Sequence, residues 1–204
     1  MKNIYLSPDG SKKALKNLDY IGGVGRWYAP FRYIHTTSNV GHTGIGYRFT
    51  PFYVRQKIEI DGIGYTQSSG AASGVSKLAI YNCNRTNYKP TTKIIECADF
   101  LNNVTGGRPQ TITPTILNPG VYFFANIANN TVSFNITTMN GCLQPDMFGC
   151  DTITDVRLAR KGWIYTTTYV DGSSAISDFT SLHGDLTPPT INNILMFMKV
   201  STLF

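Results

Sequence analysis

Few residues in this chain have the types and spacing for catalysis, and those few do not assemble into a familiar site. The 3 histidines are His35, His42 and His183. His35 and His42 flank one loop, where a metal site would need a carboxylate brought from elsewhere. The plain alternative is a pair of exposed loop histidines. Glu59 and Asp61 are the tidiest carboxylate pair for glycoside hydrolysis, but that chemistry needs acids on facing elements. On one strand they read as the solvent face of an amphipathic segment. Asp146, Asp151 and Asp155 could offer oxygens to calcium, yet their spacing is not that of an EF-hand loop. Neither GxSxG, GxGxxG nor a Walker loop occurs; in GAASG at 70–74 the serine stands one place late. Cys83, Cys97, Cys142 and Cys150 show no CxxC or metal-ligand spacing. Cys142 and Cys150 could close a small loop if oxidised, although free thiols are expected in a protein made in a cytoplasm. The sequence predicts a non-enzymatic protein with no cofactor.

What remains is binding chemistry. Trp27, Trp163 and the tyrosines Tyr28, Tyr33, Tyr53, Tyr88, Tyr165 and Tyr169 could stack on sugar rings if exposed in loops. Tyr88 and Trp163 are the most loop-proximal of these and are the candidate glycan-binding residues. Such aromatics otherwise fill a β core or an intersubunit contact. A second kind of contact is basic: Lys12, Lys13 and Lys16 form a short charged segment near the N-terminus. The net charge of +6 is also unevenly spread. Residues 26–95 carry nine Lys/Arg against two acids, while residues 96–185 carry four against eight. That split suits packing against a neighbour by complementary charge. The basic residues are dispersed, which argues against nucleic acid as a direct partner.

The elements that would position these residues are strands. Charged residues make up only 15% and just two glutamates occur, so no surface helix is written here. Thr, Asn, Ser and Gly take their place, and 11 Phe with 12 Tyr supply bulk for a core. Residues 1–25 read as an arm, ending in the joint Gly22-Gly23-Val24-Gly25. From Arg26 a single domain is expected. RWYAPFRYI reads as an edge strand and HTTSNVGHTG as a loop. GIGYRFTPFYV follows, then KIEIDGIGYTQ with Ile58, Ile60 and Ile63 inward and Lys57, Glu59 and Asp61 outward. VSKLAIYN puts Leu78 and Ile80 on one face and Lys77, Ala79 and Tyr81 on the other. TTKIIECADFL and PQTITPTIL are further strands. GVYFFANIA and TVSFNITT are joined by Asn129-Asn130, read as a hairpin turn. Residues 138–190 form an irregular insertion with one strand, RKGWIYTTTYV. NNILMFMKV closes the domain with Ile194, Met196 and Met198 on one face. This is an all-β chain: an antiparallel β-sandwich of jelly-roll type with a short N-terminal arm. No stretch approaches a membrane span, and no secretory signal is visible.

One stretch carries a resemblance. Ile80, Tyr81 and Asn82 end a strand that runs into a polar turn and Pro90. Leu117, Pro119, Gly120, Tyr122 and Ala125 then fill a Leu-x-Pro-Gly-x-Tyr/Trp-x-x-Ala signature. With Pro51-Phe52 upstream and Pro188 to Val200 at the end, residues 26–204 resemble the β-sandwich module of bacteriophage tail-fibre, head-fibre and capsid-decorating proteins. The chain departs from that pattern at Phe123, where tryptophan is common, at Cys83, where Asp or Gly is usual, and throughout 138–190. The resemblance implies a virion structural protein, often a homotrimer, made in the host cytoplasm, with capsid or portal and tail proteins as partners. It supplies no catalytic residues. A tail fibre needs a long shaft and a decoration only a docking arm, so the expected subtype is a capsid decoration or short head-fibre protein docked through residues 1–25. The competing reading is a tail-associated module that recognises host cell-surface glycan.

Overall fold

Alternating apolar residues pair into two antiparallel sheets in the computed structural model, which describes residues 24–29, 36–42, 45–70, 74–129, 134–140, 162–187 and 193–204. For 36–42, 134–140 and 193 only the backbone is described. The first sheet holds β1 (Arg26–Tyr28), β2 (Thr36–His42), β4 (Ile58–Ser69), β8 (Gly106–Leu117), β10 (Phe134–Asn140), β12 (Asn193–Ile194) and β13 (Met196–Leu203). The second holds β3 (Gly46–Val54), β5 (Val75–Cys83), β6 (Pro90–Glu96), β7 (Phe100–Leu101), β9 (Gly120–Ala128) and β11 (Trp163–Tyr165). In the first, β4 is the spine, with β8 along one side and β13 along the other. In the second, β9 lies between β3 and β5. The two sheets face each other across a core in which Phe52 and Phe124 stack at 4.2 Å and Ile60, Leu78 and Met198 are fully buried. The architecture is an all-β sandwich.

Several local expectations hold. Ile58, Ile60 and Ile63 all point inward, although alternation alone cannot place both Ile60 and Ile63. Against β13, Ile60 pairs with Val200 and Gly62 with the adjacent Lys199, so Asp61 is an extra residue in β4 and the inward set moves to Ile63 and Tyr65. Pro109 and Pro114 sit within β8 because, among the described residues, it pairs with β4 alone and has a free edge. Ile194, Met196 and Met198 face the core together.

Other expectations are corrected. Thr36–His42 is strand rather than loop, paired residue by residue with β10. Asn129-Asn130 does not close a hairpin, since β9 and β10 belong to different sheets. Asn129 instead ends β9 by accepting the Val75 amide on its side-chain oxygen at 2.8 Å, and its own amide donates to the Val75 carbonyl. TTKIIECADFL breaks after Glu96, where Cys97 bonds β5 through its backbone and sulfur. Of the described residues of the later predicted strand, only Trp163–Tyr165 join a sheet. Residues 1–23, with Lys12, Lys13 and Lys16, lie outside the described residues, as do Tyr33, His35, Cys142, Cys150, Asp146, Asp151 and Asp155.

The insertion has a structural task. β9 is buried on both faces, and its outward residues Phe123, Ala125 and Ile127 continue a layer formed by Tyr47, Phe49 and Tyr81. Residues 162–187 cover that layer. Phe179 is completely buried at its centre, edge-on to Phe49 at 4.9 Å, Tyr47 at 5.1 Å, Tyr165 at 5.3 Å and Tyr81 at 5.5 Å. Polar bonds fix its borders. Tyr81 Oη donates to the Ile176 carbonyl, and the Ile176 amide donates to Tyr47 Oη. Glu96 accepts the Ala175 amide, and Lys93 Nζ, 3.1 Å from Glu96, donates to the Ala175 carbonyl. The buried Lys77 ammonium stands 3.3 Å from Asp99, which also accepts from Tyr169 Oη at 2.5 Å and from the Gly172 amide.

Truncating Phe179→Ala leaves a ring-sized void among four aromatics and is expected to cost about 3–5 kcal/mol in urea denaturation. The Asp99 attachment should also respond to pH. Burial pushes that carboxyl up, but hydrogen bonds from Tyr169, Gly172 and Asp171 and the neighbouring Lys77 outweigh it, leaving it below the usual range. Asp171 moves the opposite way, raised chiefly by its hydrogen bond to Asp99. A depressed acid adds stability above its unfolded pKa, about 3.9, and loses it as pH falls through the lower folded value. Asp171, being raised, contributes fully below its unfolded value and fades as pH rises. Asp99→Asn should therefore destabilise the protein at neutral pH, with the gap in urea midpoint closing below about pH 4.

Candidate functional site: an aromatic and basic hollow at one end of the sandwich

The β5–β6 connection is Asn84-Arg85-Thr86-Asn87-Tyr88-Lys89, a run of turn formers that cannot extend either strand. Asn84 organises it. Its side-chain oxygen accepts the Thr86 amide at 2.8 Å, its carbonyl accepts the Tyr88 amide at 2.9 Å, and its amide donates to the Lys89 carbonyl. The chain turns back at Tyr88 with φ of 51°, the left-handed region in which a tyrosine is strained. Facing this loop, Asn118-Pro119-Gly120 turns the chain from β8 into β9, closed by Tyr122 Oη donating to the Asn118 carbonyl at 2.8 Å. Between the two loops lies an open cavity of about 520 Å³, lined by Tyr53, Asn82, Arg85, Tyr88, Asn118 and Tyr122 among others.

Its chemistry is uniform in sign. Among the described residues, no acid lines the hollow and no salt bridge engages Arg85. Tyr53 is 45% exposed, which leaves an aromatic face open to solvent. Asn82 lends its amide to Thr92 Oγ1 at 2.9 Å and so holds a fixed orientation at the floor. Cys83 also lines the cavity, but burial pushes its thiol up to about 11 against the pull of nearby Arg85, so it stays protonated and is not a nucleophile at neutral pH.

The structure brings Tyr88 and Trp163 together in different roles. The Trp163 indole N–H donates to the Tyr88 carbonyl at 2.8 Å, while its ring packs on the outer core and carries the Lys89 ammonium at 4.9 Å. Trp163 therefore braces the loop from behind, and Tyr88 lines the cavity. His183, on a short 3-10 helix (Thr180–Asp185), adds a second brace. Its Nε2 faces the Pro90 carbonyl at 2.8 Å, which can only accept, so the proton belongs on Nε2 and Nδ1 accepts from Asn87 Nδ2 at 3.1 Å. Lys89 Nζ donates to the His183 carbonyl at 2.6 Å. Of the other candidate aromatics, Tyr169 is buried and Tyr165 packs against Phe179, so both belong to the covering layer. Sequence reasoning missed Arg85 and Asn118; the only signal was their place in turns flanking the landmark strands.

A smaller cavity of about 270 Å³ lies on the first sheet, where Trp27, 40% exposed, crosses Gly62 beside the Lys199–Asp61 ion pair at 3.0 Å. A Cβ at position 62 would stand 2.9 Å from the indole, so glycine is what lets the ring lie flat there. Glu59, the other predicted outward acid, accepts from Ser201 Oγ across β13. No group of three metal-ligating side chains occurs among the described residues, and no described helix is long and apolar enough to cross a membrane.

Fold and hollow together define a class, the antiparallel β-sandwich with an open aromatic and basic end site. Beyond that class, no protein-family model, curated protein or solved structure matches the chain.

The strain at Tyr88 can be measured directly. Tyr88→Gly is expected to leave stability within about 1 kcal/mol of the parent, since glycine accepts positive φ without penalty. Tyr88→Val, β-branched at the same backbone angle, should cost about 1–3 kcal/mol in the same denaturation series.

Proposed function

We propose that this chain is a non-enzymatic structural protein of a bacteriophage particle, displayed on its surface as a capsid decoration or short head-fibre protein. Residues 1–25 dock it to capsid or portal proteins, and the sandwich assembles as a homotrimer. The observation that supports this most is how the landmarks of the resemblance lie in space. Ile80, Tyr81 and Asn82 pair with Phe124, Phe123 and Tyr122, and Pro90 lies opposite Cys83. The strands that carry most of the two signatures, β5 and β9, thus lie side by side in one sheet, while Leu117 belongs to β8 of the other. The virion location itself rests on the resemblance, an argument from family rather than from a site.

A second reading, recognition of host cell-surface glycan, is favoured by the end hollow. Its lining combines the exposed Tyr53, the half-buried Tyr88 and side-chain amides, the kinds of group that sugar rings require. The two readings are compatible in chemistry and differ in copy number. Purified particles should carry on the order of hundreds of copies of a decoration protein, following capsid symmetry, against a few tens at most of a tail receptor binder. A tail-like count would overturn the decoration assignment. Removal of residues 1–25 should abolish incorporation into particles while the remaining chain still unfolds cooperatively; incorporation that survives the deletion would remove the docking role.

A further inference from the structure

We infer that the end hollow is built for an acidic sugar, with the Arg85 guanidinium as the ligand of its carboxylate. This rests on the glycan reading and makes it more specific. Three independent features point the same way.

Charge comes first. Arg85 lines a cavity that, among the described residues, has no acid in its lining and no ion pair to neutralise the guanidinium. Elsewhere among the described residues, Lys77 is paired with Asp99, Lys93 with Glu96 and Lys199 with Asp61. A planar guanidinium offers a two-pronged donor that matches one carboxylate, and such charge-assisted pairs are the strong ones. The second feature is shape. Tyr53 and Tyr88 lie on opposite elements, β3 and the β5–β6 loop, and both line a cavity of about 520 Å³, the scale of a small oligosaccharide site. Aromatic faces take the apolar C–H faces of a pyranose ring, and the Asn82 and Asn118 amides are suited to its hydroxyls. The third feature is strain. Tyr88 keeps a tyrosine at φ of 51°, where glycine or asparagine would be easier, and the molecule commits Trp163 and the Asn84 turn to holding that backbone in place. A strained residue held by its surroundings is one whose side-chain direction matters.

These features separate Arg85, which reads the charge, from Tyr88 and Tyr53, which hold the ring whatever its charge. Trp163 is a positioning residue that acts through the Tyr88 carbonyl. The net charge of +6 adds long-range attraction for an acidic polymer, so the association should weaken as salt is raised.

The test is calorimetric titration of the full-length protein with oligomers of galacturonic, glucuronic and mannuronic acid, each beside its neutral methyl ester. At least one acid form should bind about ten- to a hundredfold more tightly than its ester, the range expected of a charge-assisted arginine contact. Arg85→Gln should reduce acid binding to the level of the ester without moving the melting temperature. Tyr53→Ala should weaken acid and ester alike. Equal affinity for acid and ester, or acid binding unaffected by Arg85→Gln, would overturn the acidic-sugar inference while leaving glycan recognition standing. Binding to none of the oligomers in either form would overturn both. Tyr88→Gly serves as a control for folding: it retains the loop's backbone, and loss of binding in that variant with an unchanged melting temperature assigns the effect to the ring.

Discussion

A strand with large apolar residues on both faces must be covered twice, and most of this molecule follows from that requirement at β9. Its inward residues meet the first sheet, as in any sandwich. Its outward residues, Phe123, Ala125 and Ile127, would otherwise join Tyr47, Phe49 and Tyr81 in a continuous exposed patch, of a size that soluble proteins seldom leave bare. Residues 162–187 answer the need with almost no regular structure of their own. One phenylalanine fills the centre, and the borders are tied by bonds from side chains to main-chain groups. Because such bonds ask little of the segment's sequence beyond Phe179 and a few neighbours, a polar stretch of many threonines and serines can serve as a third layer.

The same cover reaches the end of the sandwich. Its first strand presents Trp163 to the Tyr88 carbonyl, and its 3-10 helix presents His183 to Pro90 and Asn87. The loop lining the hollow is thereby fixed from behind by a segment that lies some eighty residues later in the chain. Core packing, loop conformation and the shape of the cavity are therefore one problem. A binding site made from turns gains precision when the turns are held at several points, because less ordering is left to be done when a ligand arrives.

The parts of this arrangement that sequence could reveal are those governed by short-range pattern. Alternation exposed the inward faces of Ile58, Ile60, Leu78 and Ile80, and of Ile194, Met196 and Met198. Asn and Pro marked the turns on either side of the hollow, and Tyr88 stood out as an aromatic among turn formers. What stayed hidden depends on distant partners. Thr36–His42 has no apolar alternation and is a strand only because β10 pairs with it. Asn129 looked like a hairpin residue and instead ends its strand on Val75, a residue 54 positions earlier. Phe179, the centre of the outer layer, sits among Ser, Asp, Thr and Gly with no neighbour to announce it. Arg85 and Trp163 carried no local mark of their roles, which arise when the β5–β6 loop meets the cover.

The proline-bearing edge at β8 has a further consequence. An unprotected edge strand is a template on which another chain can extend the sheet, and the hazard grows with local concentration. Here Pro109 and Pro114 remove two donors from a strand that, among the described residues, is paired on one side only, and threonines stand between them. A neighbouring molecule meeting that edge cannot form an unbroken ladder. Copies of this sandwich can thus be crowded side by side, on a surface or in concentrated solution, without fusing through this edge into fibres.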